Sequence, residues 1–461
     1  MIDVAKKAVN IALNLGAEYA DARTGKSLST SIRAVNGKFD RITSGIDAGI
    51  GLRVIFNGAL GFASSILGKD LKEAAIKALK AARATSEGVK EKIVFAPVET
   101  YKDKVSTEAK EDLAEVELKR KMRLLLLANQ TAEAVSPKVT SIDGLYRDGV
   151  SESTIVTSEG TELYERSSFG VFRILVFAKE GDKIRMCGES IGAAGGFEVF
   201  DEDEIEKKTE EAAKRAVAML DAEPAPSGRY TVIADPELAG TFAHEATGHA
   251  CEGDAVIAGE SILKDRLGQQ IGSEQVSIYD DSTLPKSWGS AKYDDEGVRT
   301  MKRPLVEGGV LSGLILNREA AAKLALAPNG GARAQSYSFR PICRMSNTYI
   351  AAGDLTFEEL IEDVKHGFYL RGTRGGQVDP AVGSFQFNAE DAFLIENGET
   401  TKPILDVSLS GMILETLKNI DAVGKDQCLH VGRCGKEDQV VPVMDGAPHI
   451  RIRNAVVGGM G

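Results

Sequence analysis

Five histidines occur in 461 residues, at His244, His249, His366, His430 and His449, and two of them share one short run. That run reads Phe242-Ala243-His244-Glu245-Ala246-Thr247-Gly248-His249. It is one residue longer than His-Glu-x-x-His, the helical zinc pattern whose histidines at i and i+4 share a face. Five residues of ideal helix turn through about 500°, which leaves the two imidazoles about 140° apart. One metal ion does not easily bridge that angle. Two local devices would repair it: Gly248 ending the helix so that His249 swings back, or a single π-type turn absorbing the extra residue.

A third donor has to come from elsewhere. Cys428-Leu429-His430-Val431-Gly432-Arg433-Cys434-Gly435 is the densest other group of soft donors, and its polar, glycine-bearing character predicts a loop. Two histidines and one thiolate suit a catalytic zinc set with a fourth position open to water. Composition does not choose between Cys428 and Cys434. The chain has no Cys-x-x-Cys pair, which argues against a four-ligand structural site. Cys187 and Cys343 lie in apolar, strand-like runs and read as core residues, while Cys251 follows the helix closely and fits either role. His366 reads as a surface residue of a run over 359–366, and His449 as a structural residue in a strand run. The same inventory admits other chemistry, a thiol hydrolase with Cys434 or Cys428 as nucleophile and a histidine partner.

The elements that must position these groups are legible. Residues 230–234 read as a strand, Asp235 as a helix N-cap, and Pro236 sits where the first helical N–H needs no partner. Leu238, Phe242 and Ala246 fall at i, i+4 and i+8, one apolar stripe of that helix. Earlier in the chain, residues 2–15 have helical periodicity. Asn36-Gly37 and Asn57-Gly58 each sit between apolar alternating runs, the signal of a two-residue hairpin. Residues 70–87 return to a helical pattern. A charged helix near 107–134 then precedes strand-like runs over 139–146, 152–157, 161–165, 169–177 and 183–191, closed by a helix at 202–221. Glu223-Pro224-Ala225-Pro226-Ser227-Gly228 marks a boundary. The rest is glycine-rich, with short alternating runs. The fold class is therefore α+β: an N-terminal unit over 1–100, a central unit over 101–223 and a β-rich C-terminal unit over 224–461.

Composition narrows the functional classes. Lys and Arg total 56 against 68 Asp and Glu, for a net charge of −12. That balance disfavours nucleic acid and anionic membrane as partners. No apolar run approaches the ~18 residues of a membrane span. Five cysteines are too few for a disulfide framework, and the N-terminus lacks a basic segment followed by an apolar core. A cytoplasmic location is the expectation.

At family level the whole chain resembles the TldD/PmbA metalloproteases, and within them the TldD-type branch that carries the His-Glu-x-x-x-His motif. The resemblance runs through Gly49-Ile50-Gly51-Leu52-Arg53-Val54, then His244 to Asp254, Ser346-Asn347-Thr348-Tyr349-Ile350, Gly375-Gly376-Gln377-Val378-Asp379-Pro380 and Cys434-Gly435-Lys436. It implies one divalent metal ion, zinc before iron, held by His244, His249 and Cys434, with Glu245 as the general base. It implies hydrolysis of unstructured peptides through a metal-activated water. It also implies a dimer, either with a PmbA-type paralogue lacking the motif or with a second copy. A non-catalytic partner subunit is the third reading, and the intact motif argues against it. Residues 375–380 read as a turn-rich loop, since Gly-Gly and Asp-Pro mark loops.

Overall fold

Helix α1 (Ile2–Asn14) turns Ala5, Ala8, Val9 and Ala12 inward, the face its periodicity predicts. Both Asn-Gly pairs form the expected two-residue turns. Their φ angles are all positive, 51° and 69° at Asn36-Gly37 and 49° and 76° at Asn57-Gly58, as a type I′ turn requires. They join β1 (Tyr19–Val35), β2 (Lys38–Phe56) and β3 (Ala59–Ile66) into a meander in which one long strand, β2, serves both hairpins. Helix α2 (Leu71–Ser86) follows, capped by Asp70, whose Oδ1 accepts from the Lys72 N–H. The structure is a computed structural model and describes residues 1–88 and 90–459.

The central unit holds β4 (Lys102–Ser106), α3 (Leu118–Val135), β5 (Val139–Thr157), β6 (Glu162–Glu180), β7 (Lys183–Ala194) and α4 (Glu202–Ala218). Two expectations change here. The helix starts at Leu118 rather than near 107, and four separate strand runs fuse into the 19-residue strands β5 and β6. β1 pairs antiparallel with β5, so one seven-stranded sheet runs through the N-terminal and central units in the order β3-β2-β1-β5-β6-β4, with β7 also on β6. Tyr146, Phe172, Ile174 and Val176 point from this sheet into the core under α3 and α4. Alternation sends Leu145, Arg147, Val171 and Arg173 to the opposite face. That face looks onto the C-terminal region, where a Cβ at Gly192 of β7 would lie 3.0 Å from Val431.

Two larger sheets dominate residues 223–459. A six-stranded sheet orders Val310–Leu311, Lys302–Glu307, Ile278–Asp281, Asn347–Ile350, Gln439–Ala447 and Cys428–Lys436. A ten-stranded sheet is built around Gly228–Ala234, Ile450–Gly459 and His366–Arg371. The Pro-rich boundary is partly ordered, because Glu223–Pro224 pairs with Ile404 and Leu405. Three local readings are corrected. Cys428–Lys436 is a strand rather than a loop, Gly376–Asp379 is a strand paired with Ser384–Asn388, and His366 opens a strand after the short helix Phe357–Ile361. His449 lies between two strands, with Nδ1 2.5 Å from Asp426 and Nε2 2.9 Å from the Tyr369 hydroxyl. No helix among the described residues is long and apolar enough to cross a membrane.

An ion cluster joins the central sheet to the C-terminal region. Arg215 of α4 donates to Glu189 of β7 at 2.8 Å and to Asp391 at 2.7 Å, and also pairs with Glu390. Arg371 adds a second guanidinium on Asp391 at 2.6 Å. The donors of Cys187, Glu390 and Asp391 converge closely enough to suggest a cation. Arg215 is that cation.

Candidate metal centre

The strand Gly228–Ala234 delivers the chain to helix α5 (Pro236–Phe242). Asp235 caps it as the sequence predicts, with Oδ1 accepting from the Leu238 N–H at 2.8 Å. Its other oxygen accepts from the Gly372 N–H at 2.9 Å, tying the helix start to the ten-stranded sheet. Leu238, Phe242 and Ala246 are all buried. After Phe242 the winding changes to a π segment, Ala243–Gly248, followed by a 3₁₀ turn at His249–Cys251. The His249 N–H donates to the His244 carbonyl, an i→i+5 bond. The inserted residue is absorbed there, and the angular objection to His244 and His249 disappears.

Two glycines set this segment against its surroundings. A Cβ at Gly240 would lie 2.6 Å from the backbone of Gly446, so α5 rests directly on the strand Gln439–Ala447. A Cβ at Gly248 would lie 1.9 Å from the sulfur of the buried Met345, so a side chain there would have to displace Met345 or the π segment.

Donor atoms of His244, His249 and Cys434 all fall within 4.8 Å of one another. The imidazole centroids are 5.4 Å apart with planes at 89°. Cys434 Sγ lies 3.4 Å from His249 Nε2. Cys434 comes from the strand Cys428–Lys436, whose antiparallel partner carries Val441 opposite it. Cys428 belongs to the same strand but lies six residues, about 20 Å, further along it, near the surface. The structure therefore brings Cys434 to the histidines and leaves Cys428 out. Cys187, Cys251 and Cys343 are buried in packed regions. Burial pushes the Cys251 and Cys343 thiols up, away from the thiolate form.

Electrostatics favour a cation at this point. Burial alone would raise the Cys434 thiol, but hydrogen bonds and charge from His244 and His249 hold it at about 5. Burial alone would lower both imidazoles. The Cys434 thiolate raises His244, and Glu252 together with Cys434 raises His249. The cluster thus draws positive charge toward a thiolate, either as protons or as a metal ion. Nδ1 of His244 is buried without a hydrogen-bond partner, although buried polar atoms are nearly always paired. Two imidazoles, one thiolate and an unsatisfied nitrogen fit a zinc-type ion.

Glu245 sits on the open side, its side chain 35% exposed, with Oε2 3.8 Å from His249 Nε2. Behind the ligands lies a group that the sequence reading did not single out. Glu252 Oε2 is 3.1 Å from His249 Nδ1. It also accepts from Lys436 Nζ at 3.0 Å. Lys436 in turn donates to Asp254 at 2.6 Å and to the Cys343 carbonyl at 3.2 Å. Burial would raise Glu252, but His249 and Lys436 hold it below the usual carboxylate range. A charged carboxylate on Nδ1 fixes the tautomer that leaves Nε2 free as a donor. The available signal was an acid one helical turn after a candidate ligand. On the other side, burial pushes the Asp445 carboxyl up to about 6, partly offset by His244.

Sequence comparisons place these features among known proteins. The chain matches the PmbA/TldA metallopeptidase domain 1 over residues 20–84, the central domain over 111–220 and the C-terminal domain over 227–459. It is 44% identical to a Methanothermobacter thermautotrophicus protein called a metalloprotease, covering 96% of each chain. It is 31% identical to the zinc metalloprotease TldD homolog of Saccharolobus solfataricus, covering 98% of this chain and 99% of that one. In fold it is similar to TldE from Thermococcus kodakarensis, with a TM-score of 0.83, 20% identity and coverage of 99% and 100%.

Because Glu252 orients His249 without ligating, Glu252→Gln is expected to weaken metal binding by about 10–100-fold while the protein stays folded. Competition against a chromophoric chelator measures this. Unchanged affinity would show that the Glu252 contact is incidental.

Proposed function

Because this chain belongs to the PmbA/TldD metallopeptidase family, we propose that it is a metal-dependent peptidase acting on unstructured peptides. In this reading His244, His249 and Cys434 hold one divalent ion, zinc before iron, and Glu245 is the general base. The observation that carries it is the convergence of three soft donors on a π turn, with a carboxylate on the open side. An ion held there supplies Lewis-acid polarisation of the scissile carbonyl and acidifies a water. The protein's own groups do the rest. Glu245, solvent-accessible yet 3.8 Å from a ligand nitrogen, accepts the water's proton and returns it to the leaving amine. Such proton transfer is worth about 10²–10⁴-fold. Glu252 and Lys436 keep His249 in one tautomer while this happens.

One observation favours a second reading. Cys434 Sγ, His249 Nε2, His249 Nδ1 and Glu252 Oε2 form a Cys-His-Glu relay with steps of 3.4 and 3.1 Å, the layout of a thiol hydrolase. His244 argues against it, because a thiol nucleophile needs no second imidazole on the same sulfur. Metal analysis of protein purified without chelator separates the two.

Glu245→Ala is expected to keep the metal and the fold but lose peptide hydrolysis by at least about 10²-fold. Cys434→Ala is expected to empty the site at physiological metal levels, and Cys428→Ala to leave it filled. Metal-to-protein ratios and hydrolysis of a denatured protein substrate read both. Wild-type turnover by Glu245→Ala would remove the general base. Metal loss from Cys428→Ala alone would reassign the thiolate.

We also place the working protein in an assembly of at least two chains, with a paralogue lacking the motif or a second copy. Support comes from the family and from Ile42, Ile46 and Ile66, large apolar side chains exposed on β2 and β3. Sedimentation at micromolar concentration is expected to show a species of at least twice the 49.2 kDa chain. A monomer alone, with or without a paralogue added, would contradict it.

A further inference from the structure

A cavity of about 350 Å³ opens between the outer face of β5–β7 and the strand that carries Cys434. Three guanidinium groups line it, Arg147 of β5, Arg173 of β6 and Arg433. None has a carboxylate within ion-pair distance among the described residues. Arg147 reaches only the Ser31 hydroxyl, at 3.4 Å, and Arg433 lies over the Trp288 ring, 5.5 Å from its centroid. Arg147 is half-buried, and Arg173 and Arg433 stand exposed at the cavity's mouth, so three unpaired positive charges face one opening.

The acids in the same cavity do not supply the missing charge. Glu189 and Glu390 are committed to Arg215, and Glu189 also to Lys208 at 3.0 Å. Glu237 is pushed up to about 8, by burial first and then by nearby acids, and so is largely protonated at neutral pH. One more group is unsatisfied: Nε2 of His430, on the same wall, is buried without a partner.

Position gives the cavity its meaning. The two elements that frame it also hold the metal ligands. Glu237 lines the cavity and His244 follows seven residues later, about 10 Å along the helix axis. His430 lines it and Cys434 follows four residues later on the same strand face, about 13 Å away. An extended peptide advances ~3.3–3.6 Å per residue. Three or four residues therefore span from a bond held at the ligands to the cavity wall at Glu237 and His430.

We propose that Arg147, Arg173 and Arg433 form a subsite for a carboxylate of the peptide substrate, in the cavity beside the metal ligands. The carboxylate is either the peptide's C-terminal group or an Asp or Glu side chain. The subsite rests on the peptidase reading for its role, but its binding chemistry is measurable without catalysis.

Trp288 is the only tryptophan of the chain and packs against both Arg433 and Phe169, so its emission reports on the cavity. The background is metal-loaded Glu245→Ala, in which peptide is not consumed. Three acetylated pentapeptides are titrated: all-alanine with a free C-terminus, the same peptide amidated, and the amide with one glutamate. The free acid, the glutamate peptide or both are expected to bind about tenfold or more tighter than the plain amide, as one charge-assisted contact allows. Which of them does so identifies the source of the carboxylate. The preference should weaken with added salt and vanish in Arg147→Gln/Arg173→Gln/Arg433→Gln. Arg433→Gln alone should reduce it with the fold unaltered, since that side chain is exposed.

Equal binding of all three peptides, or no binding at millimolar concentration, overturns the proposal. So does a preference that survives in the triple variant, because the carboxylate is then held elsewhere, for example at the metal. Wild-type hydrolysis is assayed separately. Its absence would strike the peptidase reading and leave the carboxylate site standing.

Discussion

The His249 N–H reaches back five residues to the His244 carbonyl, and the rest of the site is arranged around that bond. In a regular α-helix the two imidazoles would point about 140° apart. The wider π winding brings them onto one side, with ring centroids 5.4 Å apart. A π turn is rare beside the α turn and occurs frequently at functional sites. Here it is held at both ends. Asp235 caps the helix start, and Gly240 and Gly248 let the backbone sit against Gly446 and Met345 where any side chain would collide.

The two large C-terminal sheets exist around this helix in a mechanical sense. One leads into α5 through Gly228–Ala234 and ties its cap to Gly372. The other presents the hairpin of Cys428–Lys436 and Gln439–Ala447, which brings Cys434 to the histidines. Lys436, two residues past the thiolate, completes the charge balance on Glu252. Ligand, orienting carboxylate and neutralising ammonium thus come from two elements whose spacing is fixed by sheet register. The seven-stranded sheet closes over the other side of that hairpin, and the Arg215 cluster fastens the two regions together. The cleft between them is walled by β5–β7 on one side and by the Cys428–Lys436 strand on the other.

What could be read in advance followed from locality. Asn36-Gly37, Asn57-Gly58, the Asp235-Pro236 start and the stripe of Leu238, Phe242 and Ala246 each depend on a few neighbouring residues. The sequence therefore revealed them. The π turn was one of two open alternatives, since the choice depends on Met345 and Gly446, far away in the chain. Cys428–Lys436 reads as a loop in the sequence because neither of its faces is uniformly apolar. One face carries His430 and the ligand Cys434, and the other carries Arg433. Strand alternation is hidden where both faces have work to do. Glu252 was visible as a residue, but its role needed Lys436, 184 residues away. The arginine cluster, gathered from positions 147, 173 and 433, leaves no trace in the sequence as a basic run. The acidic total concealed a local excess of positive charge.

X-ray absorption at the zinc edge of the metal-loaded protein tests the central claim, that one thiolate and two imidazoles meet on a single ion. The account requires one sulfur at about 2.3 Å and nitrogen scatterers at about 2.0–2.1 Å, with imidazole multiple scattering from two rings. A shell of nitrogen and oxygen alone, or a single imidazole, would contradict it.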